Sequence, residues 1–207
     1  MGWIKRQYGR TGMFLRREVW GLAWFCGGVF LATGLICYLL LRRDPERLNQ
    51  LLQGVLQIFE QKGIQDSGDV TPWLLMANNL RATGLTVLLG IIPFLFLPLL
   101  VLAENVAVLS IGAASYQAVG LPMKVFWAGL LPHGVLELPA IVLSGILGCY
   151  LCREMIKIVL RSHSRQRMDQ LLEKSLSCYF LVVVPLVVAA AFLEAWVTPV
   201  VMGWVQA

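Results

Sequence analysis

The run Val19-Trp-Gly-Leu-Ala-Trp-Phe-Cys-Gly-Gly-Val-Phe-Leu-Ala-Thr-Gly-Leu-Ile-Cys-Tyr-Leu-Leu-Leu41 contains no charged side chain. At 1.5 Å per residue a helix of this length crosses a hydrocarbon core about 30 Å thick. Residues 1 to 17 ahead of it hold Lys5, Arg6, Arg10, Arg16 and Arg17 and no acid, the basic flank that stays on the cytoplasmic side. The run exceeds the ~7–15 residue apolar core of a signal peptide. Cys37 follows the bulky Ile36, which excludes a lipoprotein site. The reading is an uncleaved first span with a cytoplasmic N-terminus, Trp20 and Trp24 lying at the inner interface.

The rest of the chain extends the pattern. Over 207 residues, 58% are hydrophobic and 14% charged, with mean hydropathy +0.72, far from a soluble globular composition. The expected fold is all-α: a polytopic transmembrane helical bundle of about five spans forming one domain over 1–207. The spans are expected near 18–41, 73–103, 106–120, 124–152 and 176–204, with Glu104 and Asn105 at the hairpin between the second and third. Basic residues flank apolar runs, so the positive-inside bias explains the net charge of +5 and no nucleic acid is expected.

Two polar segments divide the spans. In 42–71 the bases Arg42, Arg43, Arg47 and Lys62 are balanced by Asp44, Glu46, Glu60, Asp66 and Asp69, which suits the outer face. Asp44-Pro45 reads as N-cap and first helical residue, Gly63 as a stop, and Leu48, Leu51, Leu52, Val55, Leu56 and Phe59 keep helical period. An outer amphipathic helix near 45–62 follows, its apolar stripe able to dock on the bundle, lie in the outer interface or receive a partner, with docking on its own bundle or membrane the expectation. The second segment carries Arg153, Lys157, Arg161, Arg165, Arg167 and Lys174. It is expected as a basic cytoplasmic helix near 155–174, with His163 a solvated loop residue and the C-terminus of the chain outside.

The chemistry-bearing stretch is Leu130-Leu-Pro-His-Gly-Val-Leu-Glu-Leu-Pro-Ala140. His133 and Glu137 are four residues apart and share one helix face. An ionisable group at mid-bilayer costs roughly 2.5–3.5 kcal/mol on insertion scales, so the pair must face protein or water. His133 lies about 13 Å beyond Lys124 if the helix is steep. Pro132 and Pro139 are expected to kink the helix, freeing the carbonyls of Ala128 and Val135. Asn78, Asn79, Asn105 and Glu194 complete the expected intramembrane polar network.

No catalytic, cofactor or metal residue is assigned. HExxH is absent, and Cys149-x-x-Cys152 lacks a second pair. With Cys26, Cys37 and Cys178 these cysteines lie in apolar runs and read as buried small hydrophobes. Ser110, Ser115 and Ser144 sit beside small residues and read as packing positions.

Asn78-Asn79 before a Gly-containing span, then Asn105, then Pro132-His133-Gly134 with Glu137-Leu138-Pro139-Ala140, in that order, resemble the stage II sporulation protein M family. The resemblance covers most of the chain. It departs at Asn105-Val106, where the family commonly has Asn-Gly, and at Pro93 and Pro98 in the second span. It implies a multi-pass protein of the bacterial inner membrane, a non-enzymatic scaffold of the engulfment machinery that holds peptidoglycan-degrading enzymes at the septal membrane. The partners expected on this basis are the lipid bilayer and peptidoglycan hydrolases or other engulfment proteins, and a homo-oligomer is among the expected assemblies. The competing reading is a small transporter or channel using His133 and Glu137 as a midplane site.

Overall fold

The computed structural model describes residues 2–61, 71–161 and 165–206, which form helices and no strands. Helix α1 (Gly2–Phe14), a π-helical turn (Leu15–Val19) and α2 (Trp20–Leu41) follow one another directly. Then come α3 (Pro45–Gln61), α4 (Pro72–Leu89), α5 (Leu97–Ala118) and α6 (Met123–Arg161). The last rod is α7 (Arg165–Cys178), α8 (Val184–Phe192) and α9 (Thr198–Gln206), joined through π turns at Tyr179–Val183 and Leu193–Val197. Lys62, Gly63, Asp66, Asp69 and His163 lie outside the described residues.

The all-α membrane architecture is as expected. Among the described residues, four helices are long and apolar enough to cross a membrane: Lys5–Leu41, Leu97–Ala118, Met123–Leu160 and Met168–Val205. Helix α4 is shorter and carries Asn78, Asn79 and Arg81, which dilute its hydropathy. It nonetheless runs beside both α6 and α8. Trp73 stacks edge-on against Phe192 at one end, and Gly90 meets Gly148 at the other.

Two expected boundaries are corrected. The turn between the second and third segments is at 90–96, not at Glu104-Asn105. Gly90 caps α4, Phe94 and Phe96 take positive φ of 70° and 45°, and Pro98 stands in the first turn of α5. Pro93 lacks the backbone donor a continuing helix requires, so the prolines read as kinks mark the end of one helix and the start of the next. Glu104 and Asn105 are interior to α5, where Asn105 Nδ2 donates to the Val101 carbonyl at 2.8 Å. The expected separate basic helix is also absent. Its first half prolongs α6 to Arg161 and its second half belongs to α7.

Helix α3 follows its sequence closely. Asp44 Oδ1 accepts the Arg47 backbone N–H at 3.0 Å, satisfying one of the donors a helix N-terminus leaves open. Leu48 is buried against Leu41, Ile111 and Ala114, with Leu52 and Val55 beside it. The Leu48, Leu52 and Val55 edge of the stripe therefore docks on α2 and α5, while Leu51 and Leu56 stay exposed.

Helix α6 is the axis of the bundle, with Ala140, Ser144, Leu147, Cys149, Leu151 and Cys152 all buried. Glycines let backbones meet there. A Cβ on Gly90 would stand 2.1 Å from the Gly148 carbonyl oxygen, and one on Gly148 would stand 2.7 Å from the Thr86 carbonyl oxygen. At the α2–α5 crossing Ser110 Oγ donates to the Gly34 carbonyl at 3.0 Å. All five cysteines are free, and four of them are buried.

Substitution at these glycines tests the packing. Gly90→Ala should destabilise by about 1–3 kcal/mol or more, because the obstacle is backbone. Gly54→Ala on α3, where nothing lies within 4 Å, should instead stabilise by up to about 1 kcal/mol. Thermal unfolding of the detergent-solubilised protein distinguishes the two.

Candidate functional site

Helix α6 stays helical through Pro132 and Pro139, and among the described residues no side chain uses the carbonyls of Ala128 or Val135. His133 and Glu137 keep the shared face read from their spacing, with His133 Nε2 3.7 Å from Glu137 Oε2. Both are largely buried, at 13% and 17% side-chain exposure.

The opposite wall is the π turn Leu193–Val197. A π turn widens the helix by one residue, and here it presents Glu194 and Thr198 together to α6. One ring nitrogen of His133 and one carboxylate oxygen each from Glu137 and Glu194 lie within 4.8 Å of one another. Thr198 Oγ1 stands 3.2 Å from His133 Nδ1 and donates to the Leu193 carbonyl at 3.2 Å. In the Nδ1–H tautomer Oγ1 accepts from Nδ1–H while donating to the Leu193 carbonyl, and Nε2 then presents its lone pair toward Glu137.

The third wall is α4 and α5. The Asn79 side chain lies beside Glu137, and Asn78 Nδ2 donates to Asn79 Oδ1 at 3.4 Å. Asn79, Thr83, Thr86, Asn105 and Glu137 line a cavity of about 20 Å³, room for about one water molecule among several polar partners. The six residues singled out from sequence thus divide by position. His133, Glu137 and Glu194 converge, Asn79 and Asn105 border the cavity beside them, and Asn78 touches the group only through Asn79.

Thr198, Thr83 and Tyr179 escaped the sequence reading. Tyr179, in the π turn Tyr179–Val183, donates to the Leu80 carbonyl at 3.0 Å and lies 3.2 Å from Thr83 Oγ1. The signal available was a hydroxyl residue inside an apolar run, which is too common to select these three.

A second polar cluster also escaped it. Glu18, in the π turn Leu15–Val19, accepts from Tyr150 Oη at 2.5 Å and from Lys174 Nζ at 2.6 Å. Arg153 Nη2 donates to the Glu18 carbonyl at 3.4 Å, while Glu154 pairs with Arg153 and Lys157. This cluster ties the first helix to α6 and α7. An acid directly after Arg16-Arg17, at the mouth of an apolar run, was the signal for it.

The two donors to Glu18 should differ in weight. Tyr150 is 3% exposed, and a hydrogen bond to a charged group is worth about 1.5–3 kcal/mol, so Tyr150→Phe should cost that much. Lys174 is 46% exposed, and Lys174→Met should cost at most about 1 kcal/mol. Thermal unfolding of the two variants and the double variant measures both.

No curated protein and no solved structure matches the chain. The model of one family does, over residues 22–199, which take in the first apolar span, the His133–Glu137 stretch and Glu194. With membrane-length helices and a match over most of its length, the chain is a membrane protein belonging to the Stage II sporulation protein M family.

Proposed function

We propose that this protein is a non-enzymatic scaffold of the bacterial inner membrane, recruiting peptidoglycan-remodelling enzymes during septal engulfment. Family membership supports the setting. The observation that carries the recruiting role is helix α3. One edge of it is clamped to the bundle through Leu48, while Leu51, Leu56 and Ile58 stay 43–49% exposed. A helix held in place with a bare apolar edge presents anchors for a partner helix or groove. In this reading the basic N-terminus lies in the cytoplasm, α4 crosses as a fifth segment, and α3 lies on the outer face where the cell wall is remodelled.

A photocrosslinker at position 58 in native membranes should capture a peptidoglycan hydrolase or its binding partner, and Ile58→Lys should reduce recovery of that protein several-fold without loss of folded scaffold. Crosslinks to lipid alone, with recovery unchanged in Ile58→Lys, would overturn the reading. The convergence of His133, Glu137 and Glu194 favours a second reading, movement of a small ion. Proteoliposome flux that disappears in Glu137→Gln would select it.

A further inference from the structure

We infer that His133, Glu137 and Glu194 form a binding site for a divalent transition-metal cation of the zinc type, which joins α6 to the rod of α8 and α9. The inference stands apart from the scaffold reading and does not depend on it.

Three features converge. The first is the donor set, one imidazole nitrogen and two carboxylates within 4.8 Å. Tetrahedral zinc, with bonds of about 2.0–2.2 Å, holds its ligand atoms roughly 3.4 Å apart. His133 Nε2 and Glu137 Oε2 are already at 3.7 Å, and carboxylate rotation of the order of 1 Å closes the rest. Three protein ligands leave a fourth position for water.

The second feature is the support around those donors. A metal-bound imidazole generally donates its other N–H to a fixed acceptor, which sets its tautomer and aims its lone pair. Thr198 supplies that acceptor, with its own proton held by the Leu193 carbonyl. Thr198 comes from α9 and not from α6, so the arrangement belongs to the tertiary fold and not to a local turn.

The third feature is charge. His133 Nε2 lies 3.7 Å from Glu137 Oε2, and a Glu194 carboxylate oxygen converges with them within the same 4.8 Å cluster. Among the described residues no Lys or Arg pairs with Glu137 or Glu194, and no donor reaches the Glu194 carboxylate. Converging acceptors in an apolar bundle are relieved by bound protons or by a metal cation held between them. A divalent ion cancels both carboxylate charges at once. One nitrogen and few oxygens suit zinc better than magnesium or calcium, which take six or more oxygen ligands.

The test uses the full chain in detergent micelles, carrying an affinity tag without histidines, stripped with EDTA and exposed to Zn²⁺, Mg²⁺ or Ca²⁺ separately. Elemental analysis after gel filtration should find about one zinc per chain and neither of the others. Co²⁺ in place of zinc should give the visible absorption of a tetrahedral site. His133→Gln and Glu194→Gln should lose stoichiometric zinc. Thr198→Val, which leaves all three ligands in place, should weaken zinc binding about 10–100-fold. Wild-type protein that is folded by gel filtration yet retains no zinc would overturn the inference and leave protons as the cations that relieve the cluster. Equal zinc in wild type and Glu194→Gln would overturn it too.

Discussion

The contact of Gly90 with the carbonyl of Gly148 sets the distance between α4 and α6, and the polar interior depends on that distance. In a bilayer there is little hydrophobic drive for one apolar helix to leave lipid for another, so association rests on close packing and on hydrogen bonds between helices. With α4 drawn onto α6 by paired glycines, Asn79 comes to lie beside Glu137 and Thr83 reaches Tyr179. A side chain at either glycine would separate the helices along their whole contact. It would part Thr83 from Tyr179. Packing at one end of α4 therefore underwrites hydrogen bonding in its middle.

The three π turns have a common consequence. Each carries a polar side chain that bonds or faces another helix: Glu18 with Tyr150 and Lys174, Tyr179 with the Leu80 carbonyl, and Glu194 beside His133 and Glu137. An inserted residue shifts the helical phase and loosens the backbone ladder locally. In apolar surroundings that is tolerable only where side chains and neighbouring helices satisfy the altered backbone. Thr198 does this at the third turn, where its hydroxyl and its backbone N–H both go to the Leu193 carbonyl. The same turn that brings Glu194 to the site therefore also sets Thr198 Oγ1 3.2 Å from His133 Nδ1.

These facts explain what the sequence made legible. Helix α3 was readable because it lies where polar and apolar surroundings meet, so its period, its Asp44 cap and its Leu48 stripe are written in residue type. The shared face of His133 and Glu137 followed from spacing alone. Helices that are apolar on every side carry no such stripe, and periodicity cannot say which way Thr198 or Tyr179 points. The π turns leave no compositional mark. The break at 90–96 was missed because Pro93 and Pro98 suit a kinked span as well as two helices, and what separates the alternatives is the Gly90–Gly148 approach, a tertiary contact.

The two polar clusters differ in how charge is met. At the Glu18 end the acids have cations or hydroxyls close by: Lys174 Nζ is 2.6 Å from Glu18 and Lys157 Nζ is 2.6 Å from Glu154. Such a cluster is complete with the residues present, and its role is to tie the first helix to α6 and α7. At the His133 end two acids and an imidazole converge on one another, and their neighbours are neutral amides and hydroxyls. Neutral dipoles orient a carboxylate but do not cancel its charge. A fold whose sole requirement was to hold α6 against α9 would achieve it with less cost by apolar packing. No Lys or Arg among the described residues pairs with these acids, so bound protons or a bound cation must meet their charge. That asymmetry, and not the presence of ionisable residues as such, separates a structural tie at one end of the bundle from a site that calls for a ligand at the other.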